Sequence, residues 1–174
     1  YTLPLVLRNA RPRIGDDEIL RKGERTGICG SDKHMFAGHM KLQFPIIAGH
    51  ELVGVIEEMG PKAAEEMAIV GGPIAVGDRI TTTPSSTACG KCWYCLHMPQ
   101  RPTLCTDRYV HGFVSSDVAP APRGGFSQYM HLTKRSWIFK IPDGLSSEIA
   151  VLTEPAAVAT RAVERALAPG IPHI

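Results

Sequence analysis

Several features that mark specialised classes of protein are scarce in this sequence. Aromatic residues make up 6% of the 174 residues, and the formal net charge is only +2. No apolar stretch reaches the roughly 20 residues that a helix needs to span a bilayer. The near-neutral charge gives no electrostatic reason to expect a nucleic-acid or anionic-membrane partner. With 44% hydrophobic residues, the composition is that of an ordinary globular domain.

The cysteines are few, but their placement is informative. There are five, and four of them, Cys89, Cys92, Cys95 and Cys105, lie on one stretch, whereas Cys29 stands alone. An odd number with two-residue gaps argues against a secreted disulfide framework and for metal ligation in a reducing compartment, which we take to be the cytoplasm. Four thiolates on one loop match the closed tetrahedral set of a structural zinc ion. Two disulfides, a cluster of buried thiols and an iron–sulfur cluster are the alternatives.

Hydrophobic patterning predicts a mainly β protein with a few helices. Residues 1–60 read as mostly β, beginning with a short strand at 1–7. Strands are predicted from apolar or β-branched runs at 51–59, 78–83, 125–132 and 137–141. These runs are separated by turn signals such as Gly60-Pro61.

The other segments divide into a connection, a lobe and a helical end. Residues 61–77 form the connection, partly helical at 63–68. Residues 84–123 hold the clustered cysteines, are rich in Pro, Gly and Ser, and lack periodicity, which is typical of a lobe organised by a metal. A helix is predicted from Ser146, and Pro155 either breaks it or starts a second helix over 156–168.

A second set of potential metal ligands is spread along the chain. It comprises Cys29 in the segment 27–34, His50 in Gly49-His50-Glu51, and Glu154 before Pro155. Three protein ligands with a fourth position open to water make a catalytic zinc site. Residue types alone do not show that these residues bind a metal ion, because a lone cysteine or histidine is more often a packing residue.

The order of these motifs resembles that of the medium-chain zinc-dependent alcohol dehydrogenases. The matching segments are Gly27–His34, Gly49-His50-Glu51, Gly77-Asp78-Arg79, the four-cysteine lobe, Gly124-Gly125-Phe126 and Glu154-Pro155. The resemblance implies an α+β fold in which a GroES-like barrel carries the zinc lobe as an excursion. It implies a catalytic domain at 1–155, with the lobe at 84–123, followed by a helix at 156–174 that leads toward a cofactor domain.

The resemblance also implies a ligand set for each of two zinc ions per chain. Cys29, His50 and Glu154 match the ligands of the catalytic zinc, and the glutamate is the form seen in the polyol, secondary-alcohol and threonine dehydrogenase branches. The structural zinc would be bound by Cys89, Cys92, Cys95 and Cys105. Zinc would act as a Lewis acid that stabilises the alkoxide of the substrate, and hydride would then pass to NAD or NADP.

Four neighbouring residues take supporting roles under the same resemblance. Glu51 resembles a carboxylate that approaches the metal during turnover, and Asp32 matches the residue that hydrogen-bonds the ligand histidine. Ser31 matches the hydroxyl that takes the alcohol proton, and His34 matches the residue that passes it to solvent. For His34 the alternatives are a plain loop residue or competition from His39. Asp32 is alternatively a helix cap. The remaining histidines with no motif support are expected at the surface or in the core: His97, His111 and His131.

The sequence departs from the family's pattern in three places. The gap between Cys95 and Cys105 is wider than usual, the connection at 61–76 is longer, and no Gly-rich dinucleotide fingerprint occurs. We therefore expect the catalytic domain alone, without a Rossmann domain and without hydride-transfer activity by itself. The complete enzyme is expected to be a homo-oligomer acting on a small-molecule alcohol. The alternative is a non-catalytic, zinc-stabilised binding or interaction module.

Overall fold

The computed structural model describes residues 10–168, so the strand predicted at 1–7 lies outside the described residues. In this range the chain forms six strands, five α-helices and one 3-10 helix. In chain order they are β1 (Ile19–Gly27), α1 (Gly30–Phe36), β2 (Glu51–Met59), α2 (Ala63–Glu66), β3 (Ala68–Val70), β4 (Arg79–Thr82), α3 (Trp93–His97), the 3-10 helix (Pro102–Leu104), β5 (Tyr129–Leu132), β6 (Trp137–Lys140), α4 (Ser147–Ala150) and α5 (Thr153–Leu167).

The strands form one sheet in the order β3-β6-β4-β2-β1-β5. All neighbours are antiparallel except β3 and β6. The longest pair, β1 and β2, lies inside the sheet between β5 and β4, and it runs from Ile19 opposite Met59 to Gly27 opposite Glu51. The mainly β expectation is therefore confirmed. Because β1 ends just before Cys29 and β2 begins just after His50, this pairing brings two predicted metal ligands to the same edge of the sheet.

An aliphatic core lies against the central strands. Its fully buried members include Ile19 on β1, Ile56 on β2 and Ile80 on β4. Met130 on β5 and Ile138 on β6 belong to the same cluster, so strands near both edges of the sheet contribute to this core. Burial of each such side chain stabilises the folded state by about 1.5–3 kcal/mol. The core therefore stabilises the central strand pair that positions the ends of β1 and β2.

One buried side chain on β1 is charged. Arg21 is fully buried, and its Nη1 donates to the carbonyl oxygen of Val53 at 3.2 Å. Gly23 and Gly54 are opposite each other in the register beside it. A Cβ at Gly23 would lie 3.2 Å from the Arg21 Nη2, whereas a Cβ at Gly54 would meet the Lys22 oxygen at 2.1 Å and the Arg21 Cδ at 3.1 Å. Within residues 10–168 the Nε and Nη2 atoms have no hydrogen-bond partner, and burial lowers the pKa of Arg21 to about 10.

Most predicted elements are present, and their bounds differ for identifiable reasons. The strand predicted at 125–132 begins only at Tyr129, because the amides of Gly125 and Phe126 instead donate to the carbonyls of Gly49 and Ala48. The short strand β3 was not predicted from the sequence, and the predicted helix at 63–68 ends at Glu66.

At the C-terminal side, Pro155 lies in the first turn of α5, where its missing N–H costs nothing. Of the two sequence alternatives, the second is therefore correct: Pro155 lies at the start of a second helix, which begins at Thr153. None of the side chains of α5 is buried, and Val158, Val163 and Leu167 are exposed. Among the described residues, no helix combines the length and the apolar character needed to cross a membrane.

Candidate metal centres

The four clustered cysteines converge in the lobe. The Sγ atoms of Cys89, Cys92, Cys95 and Cys105 all lie within 4.8 Å of one another. The Cys89–Cys95 and Cys92–Cys95 sulfur separations are 3.8 Å and 3.4 Å. A zinc tetrahedron with bonds of about 2.3 Å has sulfurs about 3.8 Å apart, whereas a disulfide needs about 2.05 Å. All five cysteines are free, so the geometry favours a metal site over two disulfides.

Local backbone structure turns these sulfurs toward one point. Cys92 is the N-cap of α3, which places Cys95 one turn along the helix. The wider gap before Cys105 is taken up by a turn, in which the Arg101 amide donates to the Met98 carbonyl at 2.9 Å, and by the 3-10 helix. The widened spacing therefore does not prevent Cys105 from joining the other three.

Backbone amides also set the protonation of the cluster. The Cys89 amide donates to the Cys105 Sγ, and the Cys92 amide donates to the Cys89 Sγ, each at 3.3 Å. Amide hydrogen bonds, first from Thr106 and then from Cys95, lower the pKa of Cys92 to about 6. Burial, followed by the hydrogen bond to Cys92, raises the pKa of Cys95 to about 11. Thiolate is the form that binds metal, and the lobe already favours it at Cys92.

A second group of donor atoms lies at the edge of the sheet. The Cys29 Sγ, a His50 ring nitrogen and a Glu51 carboxylate oxygen lie within 4.8 Å of one another. Cys29 and Glu51 are half-buried and His50 is buried. Gly27, opposite Glu51 in the register, leaves room for this carboxylate, since a Cβ there would lie 2.2 Å from the Glu51 Oε2.

Asp32 ties the two ligand loops together. It is buried, and its Oδ2 accepts the Cys29 amide at 2.8 Å, while its Oδ1 accepts the Gly49 amide at 3.3 Å. The same Oδ1 lies 3.8 Å from the His50 Nδ1. The capping contact that the sequence offered for Asp32 is therefore present, whereas its hydrogen bond to His50 stays a prediction. On the other side of the ring, the Ser31 Oγ lies 3.4 Å from the His50 Nε2.

Glu154 does not belong to this close group. It is partly buried in the first turn of α5, and burial raises its pKa, an effect that the charge of Glu51 reinforces and that of His50 opposes. Glu154 is therefore near both residues, but Glu51 supplies the third close donor atom. The ligand role of Glu154 stays a prediction.

The predicted histidines fall into two classes. His34 and His39 are exposed at the end of α1 and beyond it, and their Nδ1 atoms are 3.3 Å apart. His97 is exposed and stacks on Trp93 at a centroid distance of 4.7 Å. The expectation of core or surface positions for the remaining histidines is confirmed for His111 and His131, which are fully buried.

Backbone packing behind His50 was missed by sequence reasoning. Gly112 has φ +80°, and a Cβ there would lie 2.9 Å from the Gly49 oxygen. A Cβ at Gly124 would lie 1.8 Å from the Ile47 oxygen. The His50 ring also packs on Phe113, with centroids 5.3 Å apart. The Gly124-Gly125 pair was a visible signal of close backbone approach, whereas Phe113 carried none.

Both donor sets fit zinc. Four thiolates without an open position suit a structural ion, and a thiolate, an imidazole and a carboxylate suit a site that leaves room for a further ligand. The buried His50 Nδ1 has no hydrogen-bond partner among the described residues and faces Asp32. The Nε2 lies 3.4 Å from the Ser31 Oγ, so each ring nitrogen faces one polar side chain.

Comparisons with known proteins identify the family. The family described as the alcohol dehydrogenase GroES-like domain matches residues 15–143. A sorbitol dehydrogenase from Bacillus subtilis is 36% identical over 164 residues, which cover 91% of this chain and 41% of that protein. The chain spans about two fifths of the length of the curated relatives it matches.

Solved structures give the same result. An alcohol dehydrogenase from Thermotoga maritima superposes with a TM-score of 0.77 at 28% identity, over 91% of this chain and 43% of that one. A protein from Escherichia coli that is described as a short chain alcohol dehydrogenase, complexed with NADH, has a TM-score of 0.66 at 32% identity, over 88% of this chain and 40% of that one. The sequence motifs, the fold and the comparisons together place the chain in the medium-chain zinc-dependent alcohol dehydrogenase family, of which it carries the GroES-like domain.

Proposed function

We propose that this chain is the catalytic domain of a zinc-dependent, NAD(P)-linked dehydrogenase that acts on a secondary alcohol or polyol. The observation that carries the proposal is the convergence of Cys29, His50 and Glu51 beside the Ser31 hydroxyl. A binding module has no need of an open three-donor site. The sorbitol dehydrogenase relative and the NADH-bound neighbour support the substrate class and the cofactor.

The proposal includes two zinc ions per chain. The four lobe cysteines would hold a structural ion, and Cys29 and His50 would hold a catalytic one together with a glutamate. We assign the third position to Glu154, as the family implies, with Glu51 nearby as the carboxylate that exchanges with it. Both carboxylates are near His50, and a metal's positive charge would overcome the raised pKa of Glu154.

Zinc, when bound, supplies a Lewis acid that favours the ionised form of an alcohol. The chain's own residues position and remove the proton. Ser31 is half-buried and lies beside the His50 ring, so its hydroxyl can take the alcohol proton there while it releases its own proton toward solvent. His34 is exposed on the same short helix and can release the proton to solvent. Asp32 fixes the His50 ring through its contact with the Nδ1 edge.

A fusion experiment tests this function directly. These 174 residues would replace the corresponding part of the Bacillus subtilis sorbitol dehydrogenase, and reduction of NAD and NADP would be followed with sorbitol and with simple secondary alcohols. We expect turnover with at least one alcohol and none in the matched Cys29→Ser fusion. A folded fusion with two zinc ions that oxidises none of them would contradict the proposal.

The chain by itself should not turn over. We expect no reduction of NAD or NADP by the 174 residues with any of these alcohols, because this sequence shows no dinucleotide fingerprint to hold the hydride acceptor. Measurable reduction that disappears in Cys29→Ser would overturn this expectation.

A non-catalytic, zinc-stabilised module is the competing function, and cobalt substitution separates the two. In an open site, imidazole added as a probe should change the visible absorption of the cobalt bound at Cys29. A closed site should show no change.

A further inference from the structure

The exposed end of α1 carries a pair of histidines outside both metal centres. His34 lies in the last turn, and α1 ends at Phe36. Gly38 then takes φ +74°, a left-handed conformation that reverses the chain. The His39 amide donates to the His34 carbonyl at 2.9 Å, which closes the turn. As a result, two histidines five residues apart present their rings to the same point.

The geometry of the two rings suits a shared cation. Their Nδ1 atoms are 3.3 Å apart, the ring centroids are 5.6 Å apart and the rings are tilted by 43°. Two nitrogens bound at about 2.1 Å are about 3.4 Å apart on a tetrahedral ion and about 3.0 Å apart at a right angle on a square-planar or octahedral ion, so the observed separation lies within this range. A hydrogen bond between the same atoms requires one ring to carry its proton on Nδ1 and the other to leave it bare. A divalent cation uses the lone pairs of both.

We propose that His34 and His39 form a third, surface metal site for a first-row transition cation such as Ni²⁺ or Zn²⁺. Imidazole pairs suit these metals, and exposure leaves the remaining positions to water. The site is distinct from the lobe and from the Cys29 group, because neither histidine is a member of those groups.

The site has a consequence that rests on the proposed function. A cation held by His34 binds the ring that we propose to release the alcohol proton to solvent. Metal binding at the pair should therefore slow turnover of the complete enzyme without displacing either zinc ion. Binding itself is measured without activity, so the two proposals fail separately.

Calorimetric titration of the zinc-loaded protein with Ni²⁺ tests the site. We expect one Ni²⁺ per chain, with the zinc content unchanged afterwards, and line broadening of the His34 and His39 imidazole NMR signals by the paramagnetic ion. In His39→Gln the affinity for Ni²⁺ should fall by about tenfold or more, because the ion bound by His34 no longer gains a second imidazole ligand from the same chain.

The matched control is His97→Gln, which removes another exposed histidine, on the zinc lobe. Its Ni²⁺ affinity should equal that of the parent. Absence of Ni²⁺ binding, or an affinity that His39→Gln leaves unchanged, would overturn the proposal in favour of a hydrogen-bonded pair.

Discussion

The two candidate metal centres of this protein are built in opposite ways. The lobe takes all its donors from one stretch, Cys89 to Cys105, and shapes them with a single helical turn and a 3-10 helix. The second centre takes Cys29 from the end of β1 and His50 from the start of β2. The position of the donors in the first centre depends on the fold of one loop, whereas in the second centre it depends on the pairing of two strands. Each should therefore fail for different reasons.

The largest effect should come from removing a lobe ligand. In Cys92→Ser we expect loss of one zinc ion and a fall in the free energy of unfolding of more than about 5 kcal/mol, because a structural zinc ion contributes its binding energy to folding. Metal analysis and thermal unfolding measure both. The matched variant Cys29→Ser should lose the other zinc ion and unfold at nearly the parent temperature.

The comparison between the centres depends on this asymmetry. If Cys29→Ser released both zinc ions, the two centres would not be independent. If Cys92→Ser kept two, the lobe would not be a metal site.

A smaller effect, confined to the second centre, is expected from the glycines behind His50. In Gly124→Ala the new Cβ would lie 1.8 Å from the Ile47 oxygen, and a backbone atom cannot move aside cheaply. We expect a loss of about 3 kcal/mol of stability. The Cys29 centre should lose metal first in competition with a chelator, and the lobe should keep its own.

Gly30→Ala is the matched control, because a Cβ at Gly30 would meet nothing within 4 Å. We expect it to change stability by less than about 1 kcal/mol. Equal metal loss from both centres in Gly124→Ala would mean that the glycine packing supports the whole domain and not the His50 loop.

The smallest predicted effect is a pH dependence set by His111, in the segment that joins the lobe to Phe113. Burial, reinforced by the charges of Arg123 and Arg21, lowers the pKa of His111 to about 3 from its ordinary 6.5. Between these values the unfolded chain binds more protons than the folded one, so stability falls as the pH falls from 6.5 toward 3. At pH 5 the loss due to His111 is about 2 kcal/mol.

Chemical denaturation at pH 7.5 and pH 5.0 measures this contribution. In His111→Gln the difference between the two pH values should shrink by about 2 kcal/mol. The exposed His97→Gln should leave that difference as it is in the parent. An unchanged difference in His111→Gln would mean that acid acts on the protein elsewhere, for example on the thiolates.

The same contrast explains what could be predicted from the sequence. The lobe donors were found by spacing alone, because a metal site closed within one loop leaves a local pattern. The strand at 51–59 was found with correct bounds, because its apolar run is long and ends at Gly60-Pro61. For the second centre, Cys29 and His50 were predicted by the resemblance to the family. The local pattern around Cys29 does not by itself predict a metal ligand.

What the sequence missed depends on long-range contacts. The lost half of the strand at 125–132 follows from hydrogen bonds to residues 48 and 49, which no local pattern shows. Glu51 as the closest carboxylate follows from its pairing with Gly27. Arg21 is a buried charge on a strand inside the sheet, and its contact with the Val53 carbonyl depends on the pairing of β1 with β2.

The pairing of β1 with β2 also limits how this domain can change in length. An inserted or deleted residue that shifts the register of one strand against the other would move Cys29 relative to His50 by about 3.4 Å, which is more than a metal–ligand bond can absorb. The register already takes up irregularities between Leu20 and Arg21 and between Gly23 and Arg25, so only a change that is not absorbed as a bulge has this effect. The same change in the connection at 61–76, or in the turn before Cys105, leaves both donor sets in place. These are the two places where the chain is longer than its family's pattern. The register of β1 against β2 therefore sets the distance between Cys29 and His50. The two longer segments lie outside this pairing, so their length does not affect that distance.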